Sequence, residues 1–199
     1  APSPSPAPLN LRRGKVCFPA AARVRLAGGK ETPAARLRVG DAVATVGGGD
    51  VANVFLFSHK ERPAESLYPF VRLRTADGGA IALSGSHYIF ASGKLTAAER
   101  VNIGDNLTRW DGVSVSVVGK QPSVWLRGLY NPHSTADELV VDGFRVSCFT
   151  TAVPPRLARA LLAPLKAAWR MGRAALPEGV MEAVRPAVEW LPSGRGVYH

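Results

Sequence analysis

The chain has 199 residues, with 25 Lys and Arg against 15 Asp and Glu for a formal net charge of +10. That length suits one domain of good size or a domain with an appendage, and 46% apolar residues exclude a chain disordered throughout. The charge suits an anionic membrane face, but no basic run or aromatic–basic stripe supports nucleic acid, and no apolar run reaches the roughly eighteen residues of a membrane-crossing helix.

In chain order, Ala1 to Pro8 alternate proline with small residues, so 1–16 read as an extended, solvated tether carrying Arg12, Arg13 and Lys15. The chain begins at Ala1 rather than Met and is expected to be a fragment, with targeting signal and upstream domain outside it. From Cys17 the pattern changes to strands and turns. Strands are expected at 23–26, 51–57, 70–75, 80–83, 113–118, 124–129, 139–141 and 144–149, punctuated by Gly-Gly and Asp-Gly turns. Many short strands at this spacing predict an all-β domain over 17–150. Residues 37–43 (Leu-Arg-Val-Gly-Asp-Ala-Val) recur as 101–107 (Val-Asn-Ile-Gly-Asp-Asn-Leu), and Asp77-Gly78 recurs as Asp142-Gly143 at nearly the same spacing. Two matched pairs argue for a duplicated β unit packed about a pseudo-twofold axis.

After Thr150 the period becomes helical. A helical appendage is expected over 154–199: a first helix at 156–175, kinked or split at Pro164, and a weaker one at 178–190. Leu157, Leu161, Leu165, Ala168 and Trp169 are assigned to one face, opposite Arg159, Lys166, Arg170 and Arg173. Such a face either packs on the β domain or lies in an anionic membrane interface.

The chemistry-bearing residues are few. Cys17 and Cys148 are the only cysteines, too few for a disulfide framework, and His59, His87, His133 and His199 lack metal-ligand spacing. No cofactor and no metal are expected. A thiol at the first residue of a fold can reach the carbonyl before it, here Val16, and a shift of that acyl group from nitrogen to sulfur would give a thioester. The competing reading of Cys17 alone is a buried structural cysteine. His87 stands at a strand end with Ser84 three residues before it, and Cys148 closes Val146-Ser147-Cys148-Phe149.

Together these blocks resemble the Hint module, the hedgehog/intein self-processing fold, and within it the hedgehog C-terminal domain. The matching stretches are Cys17-Phe18-Pro19, Leu37 to Asp41, Leu83-Ser84-x-x-His87-Tyr88-Ile89-Phe90, Gly128-x-Tyr130-x-Pro132 and Leu139 to Phe149. The resemblance implies a Hint fold of two pseudo-twofold β subdomains and a single-turnover autocatalytic cysteine peptidase or acyltransferase. Cys17 would attack the Val16 carbonyl, His87 would hydrogen-bond the Cys17 amide and pass it a proton, and Ser84, in the family's threonine position, would orient the peptide. Cys148 would lie near Cys17, where it could exchange thiols, stabilise the thioester region or close a disulfide. His59 occupies the position of the aspartate that activates the sterol acceptor in animal hedgehogs. Val16 replaces the family's usual glycine.

The implied substrate is the chain's own upstream polypeptide, released to water or to a small nucleophile such as a sterol or other lipid. A monomer is expected. The family, the tether and an Asn106-Leu107-Thr108 acceptor triplet point to the secretory pathway or the cell exterior. Splicing would need a C-terminal His-Asn pair, and the chain ends Val197-Tyr198-His199. The rival from another class is an inactive Hint module serving as a binding or membrane-attached domain.

Overall fold

The structure, a computed structural model, describes residues 17–48, 51–61 and 66–172. Val16, the 1–16 tether and the proposed second helix lie outside the described residues. Alternation of buried and exposed side chains gives thirteen strands among them: β1 (Arg23–Arg25), β2 (Glu31–Pro33), β3 (Ala42–Ala44), β4 (Val51–Lys60), β5 (Leu67–Thr75), β6 (Ala80–Leu83), β7 (His87–Ala91), β8 (Lys94–Ala97), β9 (Asn106–Thr108), β10 (Ser114–Arg127), β11 (Tyr130–Ser134), β12 (Glu138–Val141) and β13 (Phe144–Thr150). A 3₁₀ turn at Ala98–Arg100 follows β8, and one helix, α1 (Pro155–Arg170), follows β13. The fold is mostly β, with the helix appended, as the sequence predicts.

One sheet runs β2-β1-β12-β13-β7-β9-β10-β5-β6, with β8 paired to β7, and a three-stranded sheet runs β11-β4-β3. The pairs of the named strands are all antiparallel. β10 joins the two segments expected at 113–118 and 124–129 into one strand. Pro122 is tolerated because the ladder to β5 shifts register between Gln121 and Val124, where no bond from its missing N–H is needed.

The duplicated stretch adopts the same turn twice. Arg38 N–H donates to Asp41 Oδ2 at 2.8 Å, and Asn102 N–H donates to Asp105 Oδ2 at 2.8 Å. Gly40 and Gly104 take φ of 98° and 96°, a backbone that glycine adopts without strain. Each glycine N–H then bonds a long strand, at Val54 and at Val117 respectively. The long strands are exchanged between the halves: β4 pairs with β11, and β10 pairs with β5. Neither half can therefore complete its pairing alone.

The main core gathers Phe18, Val24, Leu37, Leu73, Ile89, Leu107, Tyr130, Phe144, Val146 and Cys148. Cys17 sits in a smaller cluster with Tyr68, Phe70, Ala82 and Leu129.

α1 is not split at Pro164. Pro164 and Ala160, whose carbonyl loses its helical partner, are both exposed, so water can serve that carbonyl. The half-buried residues of α1 include Ala158, Leu162, Leu165, Lys166, Ala168 and Trp169, so Leu165, Ala168 and Trp169 of the expected face do turn inward. Leu157 and Leu161, expected beside Leu165 on one face, are instead 40% and 46% exposed. Charge contacts add to the inward apolar face: Lys166 and Arg159 both pair with Asp137, Arg159 lies 5.5 Å over the Phe149 ring, and Lys166 lies 5.9 Å over Phe55.

Candidate active site

Cys17 enters the fold fully buried, and Ser84 brackets it from the end of β6. The Cys17 N–H donates to Ser84 Oγ at 2.8 Å, and the Ser84 N–H donates to the Cys17 carbonyl at 3.0 Å. Phe18, the next residue, exchanges both backbone hydrogen bonds with Tyr130. The chain on either side of the Cys17 carbonyl is thus pinned to two different strands. The Cys17 nitrogen is the one that would leave in an acyl shift from Val16, and its hydrogen already points at a hydroxyl.

A turn carries Ser84 directly into His87, whose N–H donates to the Ser84 carbonyl at 3.0 Å. The imidazole is fully buried against Phe18, with ring centroids 4.3 Å apart. Its Nε2 donates to the Ser147 carbonyl on β13 at 2.7 Å, which fixes the proton on Nε2 and leaves the lone pair on Nδ1. Nδ1 is buried without a hydrogen-bond partner among the described residues. Burial lowers the pKa of this imidazole from 6.5 to about 4, while the Ser147 bond acts the other way. His87 is therefore neutral at pH 7, with a free lone pair inside the protein. The expected bond from the Cys17 amide to His87 is not formed: Ser84, which brackets the same backbone, takes that hydrogen.

Cys148 lies on β13 in the main core. Its sulfur accepts from the Ser134 N–H at 3.4 Å, and burial pushes its thiol up to about 12. Cys148 is a free thiol. At neutral pH Cys148 is protonated and enclosed, so it lacks the thiolate that exchange requires. Its neighbour Ser147 carries the direct contact with the site through its carbonyl.

His59 is half-buried on β4, directly across the ladder from Asn131 of β11. The antiparallel Phe18–Tyr130 bridge sets Cys17 beside Asn131 on the other flank of that strand. The structure thus brings Cys17, Ser84 and His87 into one constellation, with His59 one strand further out.

Sequence reading missed the half-buried Ser58 and the buried Asn131 and His133, which form a hydrogen-bonded group next to this constellation. Asn131 and His133 alternate along a strand within the closing block, so their common face was available from period two. Ser58 was not, because its orientation depends on a bulge.

The sequence pattern of the Hint module matches residues 5–188, and the chain belongs to that family. Among curated proteins it is 26% identical over 140 residues to Warthog protein 1 of Caenorhabditis elegans, covering 66% of this chain and 29% of that protein. The chain therefore spans less than a third of that relative's length. Among solved structures, the gp41-1 intein superposes with a TM-score of 0.57 at 13% identity, covering 67% of this chain and 99% of the intein. A DnaB intein from Synechocystis sp. PCC 6803 gives a TM-score of 0.53 at 13% identity, over 67% and 98% of the two chains. A bacterial intein-like domain from Clostridium thermocellum gives 0.51 at 17% identity, over 67% and 99%. The fold is that of the self-processing modules, and autoprocessing is the class of activity it supports.

Proposed function

We propose that the protein cleaves its own Val16–Cys17 bond through a thioester on Cys17, releasing the upstream segment to water or a small hydroxylic nucleophile. The observation that carries this reading is the Ser84 hydroxyl held 2.8 Å from the Cys17 nitrogen, with the unpartnered Nδ1 of His87 buried beside the same backbone.

The chemistry balances without an outside acid. Cys17 sulfur attacks the Val16 carbonyl, the C–S bond forms, the C–N bond breaks, and one proton must travel from sulfur to nitrogen. A neutral His87 with an open Nδ1 can take the thiol proton and return it to the departing amine. Ser84 keeps the amide hydrogen occupied, which aims the nitrogen lone pair as the bond breaks. Ser147 holds the imidazole in the tautomer this needs. Replacing His87 by Ala should slow hydroxylamine-dependent cutting about 10²- to 10⁴-fold while the circular dichroism of the sheet persists. Wild-type kinetics in a folded His87→Ala protein would assign the proton transfer elsewhere.

A lipid acceptor is favoured by the outer strip of α1, where Leu157 and Leu161 are exposed about one turn apart and Arg156 is exposed next to Leu157. An exposed apolar strip on a helix that also exposes cations fits an anionic membrane interface. Leu157→Asp with Leu161→Asp should abolish co-flotation with phosphatidylserine-containing vesicles. Undiminished flotation of the double variant would remove the membrane from the proposal.

A further inference from the structure

Four buried side-chain polar atoms lack a hydrogen-bond partner among the described residues: Glu61 Oε2, His87 Nδ1, Asn131 Oδ1 and His133 Nδ1. Asn131 and His133 belong to one group built on a bulge. Asn131 pairs with His59 and Pro132 with Phe57, so Ser58 is the extra residue of β4. Bulges re-aim side chains and are over-represented beside active sites. Here the bulge turns the Ser58 hydroxyl onto β11, where it accepts from Asn131 Nδ2 at 2.8 Å and meets His133 Nε2 at 2.9 Å. Asn131 Nδ2, a donor, also approaches that nitrogen at 3.5 Å, so Nε2 is the lone-pair nitrogen and the Ser58 O–H points to it.

This is a hydroxyl already donating to a buried, neutral imidazole, the arrangement by which proteins activate an oxygen. Asn131 and His133 are 5% and 7% exposed, yet an amide oxygen and a ring nitrogen of the group stay open. Buried polar groups normally close their bonds within the protein or on water. An open acceptor and an open donor are what a small hydroxylic molecule would satisfy. The position suits the chemistry as well. Asn131 stands between Cys17 on one flank and the Ser58–His59 segment of β4 on the other. His87 and Lys166 are both near enough to disfavour a proton on His133 electrostatically.

We propose that Ser58 and His133, held by Asn131, form the proton-accepting pair for the water or alcohol that resolves the Cys17 thioester, an inference that rests on the thioester reading above. The incoming oxygen attacks the thioester carbonyl, forming a C–O bond as the C–S bond breaks. Its proton passes to Ser58 Oγ while the Ser58 proton passes to His133 Nε2, and the chain runs back to protonate the departing sulfur. No oxidant, reductant or metal takes part. The role lies one residue from His59, which the family resemblance put forward as the acceptor-activating group.

The test compares two nucleophiles on the full chain in Ser58→Ala, His133→Gln and His59→Ala. Cutting in plain buffer reports attack by water, which needs a base. Cutting by hydroxylamine reports thioester formation, because the amine is neutral and needs none. In Ser58→Ala and His133→Gln the buffer cut should slow about 10²- to 10⁴-fold while the hydroxylamine cut continues at a rate close to wild type. Equal slowing with both nucleophiles would make the group structural and overturn the proposal. So would a wild-type buffer rate in the folded Ser58→Ala protein, a loss confined to His59→Ala, or a wild-type thioester that water never resolves. A wild-type chain that hydroxylamine does not cut at all would bring down the thioester reading itself.

Discussion

His87 and His133 enter the fold as neutral imidazoles, with pKa values lowered from 6.5 to about 4 and about 3 by burial. In the unfolded chain both would take up a proton near pH 6.5. Between that pH and the folded values the unfolded state binds more protons, so stability rises with pH and is lost as pH falls below about 6.5. Going from pH 7 to 5 should cost on the order of 2 kcal/mol for each imidazole. Asp142, whose carboxyl is pushed upward by burial, works in the opposite sense. The urea midpoint should therefore drop clearly between pH 7 and pH 5, and an unchanged midpoint would contradict the buried neutral state of both rings. Cys17, Ser84 and His87 were legible in the sequence because their spacing matches a known block. The Ser147 contact was not, since a backbone carbonyl leaves no mark on residue type.

At the scale of elements, strands with clean alternation were legible, including those at 23–25, 51–60, 80–83 and 144–150. Short strands such as β2, β3 and β9 were not, because three residues carry too little pattern to separate them from turns. Pro164 does not end α1, since its cost falls where solvent meets the helix. The amphipathic face of α1 was right at Leu165, Ala168 and Trp169 but wrong at Leu157 and Leu161, whose places are taken by Ala158 and Leu162, and the half-buried Lys166 turns inward to Asp137. Asp137 carries the charged part of the docking, at a φ of 64° that Asn also tolerates. Its carboxylate takes Lys166 and Arg159 together, with side-chain exposures of 17% for Asp137 and 15% for Lys166. Asp137→Asn should cost about 1–3 kcal/mol in helix docking. Hydrogen exchange should then speed up across α1 while β7 and β13 keep their protection, and an unchanged α1 would place its anchor elsewhere.

For the molecule as a whole, the duplication could be read from the two Gly-Asp turns, and the structure gives both the same hydrogen bonds. The exchange of β4 and β10 between the halves could not be read, because pairing partners far apart in sequence leave no local signal. That exchange matters for function. It brings Cys17, the Ser84–His87 turn of the first half and β11 of the second half to one place, so the site exists only when both halves have folded. The central claim is that this assembled site converts the Val16–Cys17 peptide bond into a thioester. Intact mass after hydroxylamine treatment tests it most directly, on the wild-type chain and on Cys17→Ala side by side. The account predicts fragments that meet between residues 16 and 17 in the wild type, the upstream one bearing a hydroxamate, and an uncut Cys17→Ala chain. An uncut wild type, or equal cutting of both proteins, would contradict it and leave a Hint module that folds without cleaving through Cys17.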